Sequence, residues 1–168
     1  MRRILIIGSG GAGKSTVARL LGTKLALPII HLDAHYWHPG WLATPPDVWR
    51  AQVAELTARD AWVMDGNYGG TMEQRLAACD TVVFLDLPRT VCLWRLMRRA
   101  VRYAGRSRPD MTPGCPEKLS WEFVWWVWSY SSRRRPGILK RLAALPDTTR
   151  VVHLRSRHDV AAFITESL

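Results

Sequence analysis

The chain has 168 residues, which is the size of one α/β domain with a sizeable core and is short for two independent domains. With 48% hydrophobic and 23% charged residues it is typical of a globular protein, and its three scattered cysteines argue against a disulfide framework. No apolar run approaches the ~18 residues of a membrane span. We therefore expect a cytoplasmic protein without a membrane partner. The formal net charge of +10 lies in residues 89–141, which hold 13 Arg and Lys against three Asp and Glu.

Short apolar runs alternate with helical patterns along the chain. The predicted strands are Arg3–Ile7, Ile29–Leu32, Ala61–Met64, Thr81–Leu85 and Arg150–Leu154. The predicted helices are Lys14–Leu25, Asp47–Arg59, Met72–Ala78, Arg89–Tyr103, Glu117–Ser131, Gly137–Leu145 and His158–Ser167. This alternation predicts a three-layer α/β/α sandwich in which helices cover both faces of a parallel sheet.

Two intervals between the predicted elements are longer than a crossover requires. One opens after the second strand and the other after the helix that begins at Arg89. Long segments inserted in an α/β domain are usually functional, as substrate covers or lids. We expect one domain over residues 1–168, with a substrate-binding insertion at 34–60 and an arginine-rich lid at 104–136.

The segment after the first strand fits the phosphate-binding pattern G-x-x-x-x-G-K-[ST] at every fixed position, between a strand and an amphipathic helix. Glycines let successive N–H groups face one phosphate, and the helix N-terminus adds partial positive charge. The pattern predicts that Lys14 reaches the β- and γ-phosphates of ATP, that Ser15 binds Mg²⁺ and that Thr16 contacts the α-phosphate. The predicted nucleotide-binding residues here are Gly8, Gly10, Gly11, Ala12, Gly13, Lys14, Ser15 and Thr16.

Two acids lie where predicted strands end, at the sheet edge where α/β folds bind ligands. Asp33 has the right place to accept or position the proton of an attacking hydroxyl, the alternative being a helix N-cap. Asp65 occupies the position of an acid that holds Mg²⁺ directly or through water, and Asp86 is its competitor at the end of the next strand. The histidines around Asp33 lack the third ligand of a zinc site.

Arginines dominate the second interval and the helix before it. Arg95, Arg99 and Arg102 share one helical face, and Arg135 belongs to a triplet at residues 133–135. Cations on a lid neutralise the charge that develops in phosphoryl transfer, so we predict that Arg99 and Arg135 take part in catalysis. The alternative for each is a solvated basic face.

A stripe of aromatic residues marks the helix predicted in the lid. Trp121, Trp125 and Trp128 recur at helical spacing, which favours a buried face covered by the rest of the lid or by a second copy of the chain. The chain is therefore expected to be a monomer or a homodimer.

These motifs together resemble the adenylate kinase-like P-loop kinases, and within them the small bacterial proteins often labelled DNA topology modulation (FlaR-like) proteins. The resemblance covers essentially the whole chain and implies a P-loop NTPase fold with a five-stranded parallel sheet, an acceptor-binding insertion and a lid. The segments that carry it are Gly8–Thr16, Leu32-Asp33 with Tyr36-Trp37, Asp65-Gly66-Asn67-Tyr68, Phe84-Leu85-Asp86-Leu87-Pro88-Arg89, Arg108-Pro109-Asp110-Met111, Gly114-Cys115-Pro116-Glu117-Lys118, Arg135-Pro136 and Leu154-Arg155-Ser156.

The resemblance also implies roles for particular residues. Arg155 and Ser156 would lie against the adenine, and Arg95 or Arg99 would meet the nucleotide at the base of the lid. The residues expected around the acceptor are Asp33, Tyr36, Trp37, Arg50, Asn67, Tyr68 and Arg75.

One departure from adenylate kinase concerns the acceptor. Residues 34–49 contain no Arg or Lys, which leaves Arg50 and Arg75 as the cations for an acceptor phosphate. The absence argues against AMP, and an aromatic, histidine-rich pocket with an acid at its floor suits an uncharged hydroxyl at least as well.

The sequence thus predicts a Mg²⁺- and ATP-dependent phosphotransferase that acts on a small-molecule or nucleotide acceptor. One alternative is a nucleotide-gated protein that binds DNA or RNA through the basic lid. Another is a regulatory ATPase without a small acceptor.

Overall fold

Short apolar segments rich in Val, Ile and Leu form the strands of the protein. The computed structural model describes residues 1–166. Its strands are β1 (Arg3–Gly8), β2 (Ile29–His31), β3 (Trp37–His38), β4 (Leu42–Ala43), β5 (Trp62–Asp65), β6 (Thr81–Leu85) and β7 (Arg150–Leu154). Its α-helices are α1 (Lys14–Leu25), α2 (Leu32–Tyr36), α3 (Pro46–Thr57), α4 (Met72–Ala78), α5 (Arg89–Arg102), α6 (Trp121–Arg133), α7 (Arg135–Ala143) and α8 (Arg157–Glu166).

The main sheet has five parallel strands in the order β2-β5-β1-β6-β7. Alternate residues of β1 enter opposite cores, with Leu5 and Ile7 on one face and Ile4 and Ile6 on the other. Helices cover both faces, so the predicted three-layer α/β/α fold is confirmed. In the register, Ile6 lies opposite Asp65, and the next strand ends beside Gly8. The carboxyl ends of β5, β1 and β6 therefore meet at one edge.

The predicted elements differ from the observed ones mainly at their ends. The strand predicted at Ala61–Met64 runs from Trp62 to Asp65, so this acid lies within the strand. The short helix α2 and the β3–β4 hairpin lie in a segment predicted as irregular. The helix predicted at His158–Ser167 is α8, and Ser167 lies outside the described residues.

Helix α6 presents a different face to the core than the sequence predicts. Its buried residues are Val127 and Tyr130. The side chains of Trp121, Trp125 and Trp128 are 83%, 57% and 41% exposed. The rest of the lid therefore does not cover this tryptophan stripe, and its burial against a second copy of the chain stays a prediction. The helix rests on the phosphate-binding loop through the face that carries Phe123 and Val127.

The three cysteines are free and buried. Within residues 1–166, the helices all fall short of the length and apolar character that crossing a membrane requires.

Candidate active site

The phosphate-binding loop joins β1 to α1. It needs glycine at Gly11, where φ is 75° and a Cβ atom would collide with the carbonyl oxygen of Cys92 on α5. Gly13 has φ of 98° and precedes the first residue of α1, whose N-terminus has no side-chain cap among the described residues. The loop therefore leaves the first backbone N–H groups of α1 available to an anion.

Lys14 lies at the centre of this edge. Its Nζ donates hydrogen bonds to the carbonyl oxygens of Gly8 and Ser9, each at 3.0 Å. Burial lowers the pKa of Lys14, and the charges of Asp33 and Asp65 partly restore it. The ammonium group therefore lies within the field of both acids predicted for the site.

Ser15 and Asp65 form the predicted metal pair. The Ser15 hydroxyl donates to Oδ2 of Asp65 at 2.8 Å, and the carboxylate is 5% exposed. The other carboxylate oxygen is 2.6 Å from Nδ1 of His31, a partner that sequence reasoning considered only for zinc. Burial lowers the pKa of His31, but the hydrogen bond to Asp65 and the charges of Asp65 and Asp110 together outweigh this and raise it. A hydroxyl and a carboxylate held together are hard oxygen donors, and they fit Mg²⁺.

The carboxylate of Asp86 is bound by Arg135 and His153. Both of its oxygens accept from Nε of Arg135, at 2.8 and 2.9 Å, and one is 2.7 Å from Nε2 of His153. The structure therefore places Asp65, and not Asp86, on Ser15. The predicted catalytic cation Arg135 lies at the same sheet edge, but its charge is balanced by this ion pair.

Asp33 lies in α2, immediately after β2. It does not cap the helix, since His31 precedes α2 and gives no side-chain cap among the described residues. One carboxylate oxygen accepts a 2.6 Å hydrogen bond from the hydroxyl of Tyr68. Burial and the charge of Asp33 raise the pKa of Tyr68, so this hydroxyl remains a donor. The second carboxylate oxygen of Asp33 has no hydrogen-bond donor within residues 1–166, so it can accept from another molecule.

Aromatic rings surround Asp33. Tyr36 lies 4.7 Å from Tyr68 and 4.9 Å from Trp37 between ring centroids, and Trp49 lies 5.0 Å from Tyr68. The predicted acceptor residues Tyr36, Trp37 and Tyr68 are thus brought together with Asp33. They form an apolar wall beside the acid.

Arg75 was predicted near an acceptor phosphate, but its side chain is fully buried under the loop after β5. Its guanidinium donates to four carbonyl oxygens at 2.6–3.2 Å. The four acceptors belong to Gly66, Asn67, Tyr68 and Thr71. The desolvated cation, whose pKa burial lowers to about 10, fixes the loop and has no free face for substrate.

Two other predicted acceptor residues are also placed differently. The side-chain amide of Asn67 binds the backbone of Gly8, donating to its oxygen at 2.7 Å and accepting from its nitrogen at 3.2 Å. It thus joins the loop after β5 to the phosphate-binding loop. Arg50 is exposed on α3, and its side chain makes no hydrogen bond or ion pair within residues 1–166.

A chain of ion pairs joins α5 to the lid. Arg99 binds Glu117 at 2.8 Å, Glu117 binds Arg108 at 2.8 Å, and Arg108 binds Asp110 at 3.1 Å. Asp110 is 7% exposed. Burial alone would raise its pKa, but the charge of Arg108 and nearby hydrogen bonds outweigh this and lower it. Sequence reasoning assigned no role to Asp110 or Glu117, although both lie in the motifs that carry the resemblance.

The lid loop also contacts the insertion after β2. Gly40 N donates to Gly114 O at 2.9 Å, and the indole of Trp41 donates to Pro116 O at 3.1 Å. The hydroxyl of Thr112 donates to the carbonyl of Ala34 at 2.8 Å. The two predicted insertions therefore close over the same edge of the sheet.

The other residues that the sequence predicts to bind the nucleotide have different surroundings in the structure. Arg95 donates to the carbonyl of Ala12 at 2.9 Å, so it reaches the phosphate-binding loop from α5. Thr16 is exposed in the first turn of α1. Ser156 instead caps α8 reciprocally with Asp159: its hydroxyl donates to the carboxylate at 2.6 Å and accepts from the Asp159 amide at 3.0 Å.

Arg155 is exposed beside this cap. Its backbone N–H donates to Asp159 at 2.8 Å, and its guanidinium lies 3.5 Å from Nδ1 of His153. Its predicted place against an adenine stays a prediction. Within residues 1–166, three or more His, Cys, Asp or Glu side chains do not gather into a metal-ligand cluster. A Mg²⁺ ion held partly by a triphosphate needs fewer protein ligands than such a cluster provides.

Comparison with known proteins relates this geometry to known folds. No family model matches the chain, so the narrower FlaR-like resemblance stays a prediction. The chain is 26% identical over 133 residues to the uncharacterized protein YqaC of Bacillus subtilis, covering 78% of this chain and 74% of that protein.

Solved structures of kinases match almost the whole chain. A shikimate kinase from Acinetobacter baumannii in complex with shikimate is 19% identical with a TM-score of 0.59, covering 99% of this chain and 90% of its own. A gluconokinase from Sinorhizobium meliloti is 18% identical with a TM-score of 0.53, covering 99% and 89%. A shikimate kinase from Bacteroides thetaiotaomicron is 19% identical with a TM-score of 0.55, covering 98% and 95%. The chain therefore has the fold of these P-loop kinases.

Proposed function

We propose that the protein transfers the γ-phosphoryl group of ATP to a hydroxyl group of a small acceptor, with Mg²⁺ as cofactor. The observation that carries the proposal is the meeting of Lys14, the 2.8 Å Ser15–Asp65 hydrogen bond and the Tyr68-bound carboxylate of Asp33 at one edge of the sheet. A phosphate-binding lysine, a metal acid and a second acid against an aromatic wall are the parts that phosphoryl transfer requires.

In this proposal the donor lies along the phosphate-binding loop. The N–H groups at the start of α1 and the ammonium of Lys14 bind the β- and γ-phosphates. Ser15 and Asp65 hold Mg²⁺, which when bound neutralises charge on the phosphate oxygens. Arg95 approaches the nucleotide from α5 and supplies positive charge there. Arg99 holds Glu117 at the base of the lid.

The acceptor hydroxyl lies on the free oxygen of Asp33. Tyr68 holds the other oxygen of this carboxylate, so the acid has a fixed orientation toward the acceptor. As the hydroxyl oxygen bonds to the γ-phosphorus, its proton passes to Asp33 and the bond to the β-phosphate oxygen breaks, which releases ADP. The lid and the aromatic wall exclude water, which would otherwise compete as acceptor.

The names of two structural neighbours support a small hydroxylated acceptor, since shikimate and gluconate both carry hydroxyl groups. The experiment that tests the proposal is a release assay for ADP with Mg²⁺, ATP and a panel of nucleosides, nucleotides and hydroxylated metabolites. We expect acceptor-dependent turnover with the wild type and none with Lys14→Ala. A wild type that turns over no member of the panel would contradict the proposal, and hydrolysis indifferent to every acceptor would favour a regulatory ATPase.

A second candidate function is binding of DNA or RNA. The exposed tryptophan stripe of α6 supports it, because Arg89 lies 4.0 Å above the ring of Trp128 and bases stack on such surfaces. Affinity for single-stranded DNA should then fall steeply between low and physiological salt. Absence of binding at low salt would remove this candidate.

A further inference from the structure

A pocket of about 370 Å³ lies between the loop after β5 and the junction of α6 with α7. The side chains and backbone around it come from three elements that are distant in sequence. Those that matter for its chemistry are Tyr68, Met72, Trp126, Tyr130, Arg133 and Arg134. The mechanism proposed above uses only the first of these residues.

The pocket carries uncompensated positive charge. Three arginines line it, and one of them, Arg141, is paired with Glu73 at 2.6 Å. Arg133 and Arg134 have no acidic partner within residues 1–166, and Arg134 lies 5.5 Å from the ring centre of Trp126. Two guanidinium groups without acidic partners favour an oxyanion.

A second observation points to a ligand independently of the charge. Tyr130 lines the pocket with only 5% of its side chain exposed, and its hydroxyl has no hydrogen-bond partner among residues 1–166. Buried hydroxyl groups without a partner are rare in folded proteins. Burial and the charge of Asp86 raise the pKa of Tyr130, so its hydroxyl stays protonated and is available as a hydrogen-bond donor.

Tyr68 connects this pocket to the candidate acceptor site. It contributes to the pocket wall, and its hydroxyl holds Asp33. A molecule with an oxyanion at one end and a hydroxyl at the other can therefore extend along one side chain from Arg134 to Asp33.

We propose that the pocket binds an oxyanion of the acceptor, so that the acceptor is a small hydroxylated acid carrying a carboxylate or a phosphate. This inference rests on the proposed function. It revises the expectation of an uncharged acceptor, because the cations come from residues 133–134 of the α6–α7 junction and not from residues 34–49. Trp126 and Met72 supply an apolar surface for the body of the molecule.

Two matched pairs of probes test the inference. One pair is trans-4-hydroxycyclohexanecarboxylate and its carboxamide, and the other is ribose 5-phosphate and ribose. Binding is followed by tryptophan fluorescence and thermal shift with Mg²⁺ and a non-hydrolysable ATP analogue present. We expect the charged member of one pair to bind at least tenfold more tightly than its neutral counterpart, and the responding pair identifies the oxyanion. Equal binding of charged and neutral members, or no binding of either acid, would overturn the inference.

Substitutions in the pocket test whether the acid binds there. We expect Arg133→Gln combined with Arg134→Gln to weaken binding of the acid at least tenfold, because both guanidinium groups are lost. Lys140→Gln removes one charge from α7 outside the pocket and should leave binding unchanged. Tyr130→Phe should weaken binding several-fold without lowering the melting temperature of the ligand-free protein, since the hydroxyl has no partner to lose. A double arginine variant that binds the acid like the wild type would overturn the inference.

The two proposals fail separately. Probe binding needs no turnover, so Lys14→Ala should still bind the acid while transferring no phosphate. If the wild type binds the acid through Arg133 and Arg134 but phosphorylates nothing, the inference about the pocket is supported and the proposed kinase function is contradicted. If a neutral hydroxyl compound is phosphorylated equally well by the wild type and the double arginine variant, the kinase function stands and the oxyanion pocket falls.

Discussion

Replacing Arg75 by methionine should destabilise the protein far more than the same replacement at Arg50. The change leaves four buried carbonyl oxygens without the donors that now bind them at 2.6–3.2 Å. Each such loss costs about 1 kcal/mol or more, and removal of a buried cation returns part of the total. We expect a net loss of about 3 kcal/mol in the free energy of unfolding, or about 6–12 °C in melting temperature for a chain of this size.

The assay is urea unfolding followed by tryptophan fluorescence, with KM for ATP measured in parallel. Arg50→Met is the matched control, because Arg50 is exposed and should change stability by no more than about 0.5 kcal/mol. KM for ATP should rise in Arg75→Met, since the loop that Arg75 holds also carries Asn67, which binds Gly8. An Arg75→Met variant as stable as Arg50→Met would refute the reasoning that this guanidinium holds the loop.

Three further changes test other parts of the site. His31→Gln should lower stability most at acid pH. The pKa of His31 is raised in the fold, so its stabilisation by Asp65 is fully present below about pH 6.5 and fades as pH rises through the folded pKa. A loss of stability that is independent of pH in melting scans would contradict this. Ser156→Ala should cost about 1 kcal/mol of stability, because it removes the α8 cap. KM for ATP should stay within about twofold of the wild type, and a large rise in KM would instead indicate that Ser156 contacts the nucleotide. Gly10→Ala should lower the free energy of unfolding in urea by about 1–3 kcal/mol, because the added Cβ would lie 2.8 Å from Phe123. An unchanged free energy of unfolding would show that α6 does not rest on the loop.

The parts of the fold that depend on local patterns were predictable from the sequence. The glycine-lysine pattern between strand and helix is contiguous, so the positions of Lys14 and Ser15 follow from it. The carboxyl ends of parallel strands meet at one edge, which is why the sequence alone predicts Asp33 and Asp65 near the loop.

The remainder depends on contacts that no local pattern specifies. Whether Arg75 faces substrate or carbonyl oxygens is set by the path of the loop above it. The path of the lid decides that Glu117 reaches Arg99 on α5, eighteen residues away. The side of α6 that is buried is set by where the phosphate-binding loop lies, and spacing alone cannot distinguish the Val127 face from the Trp125 face.

The most direct test of the proposed kinase function is phosphate transfer by Asp33→Asn. With labelled ATP and an acceptor identified in the panel, we expect kcat to fall about 100-fold or more, because asparagine can accept the Tyr68 hydrogen bond but cannot take the proton of the acceptor hydroxyl. Affinity for ATP, measured separately by fluorescence, should stay within about threefold of the wild type, since Lys14 and Ser15 are unchanged. An unchanged kcat in Asp33→Asn would contradict the account.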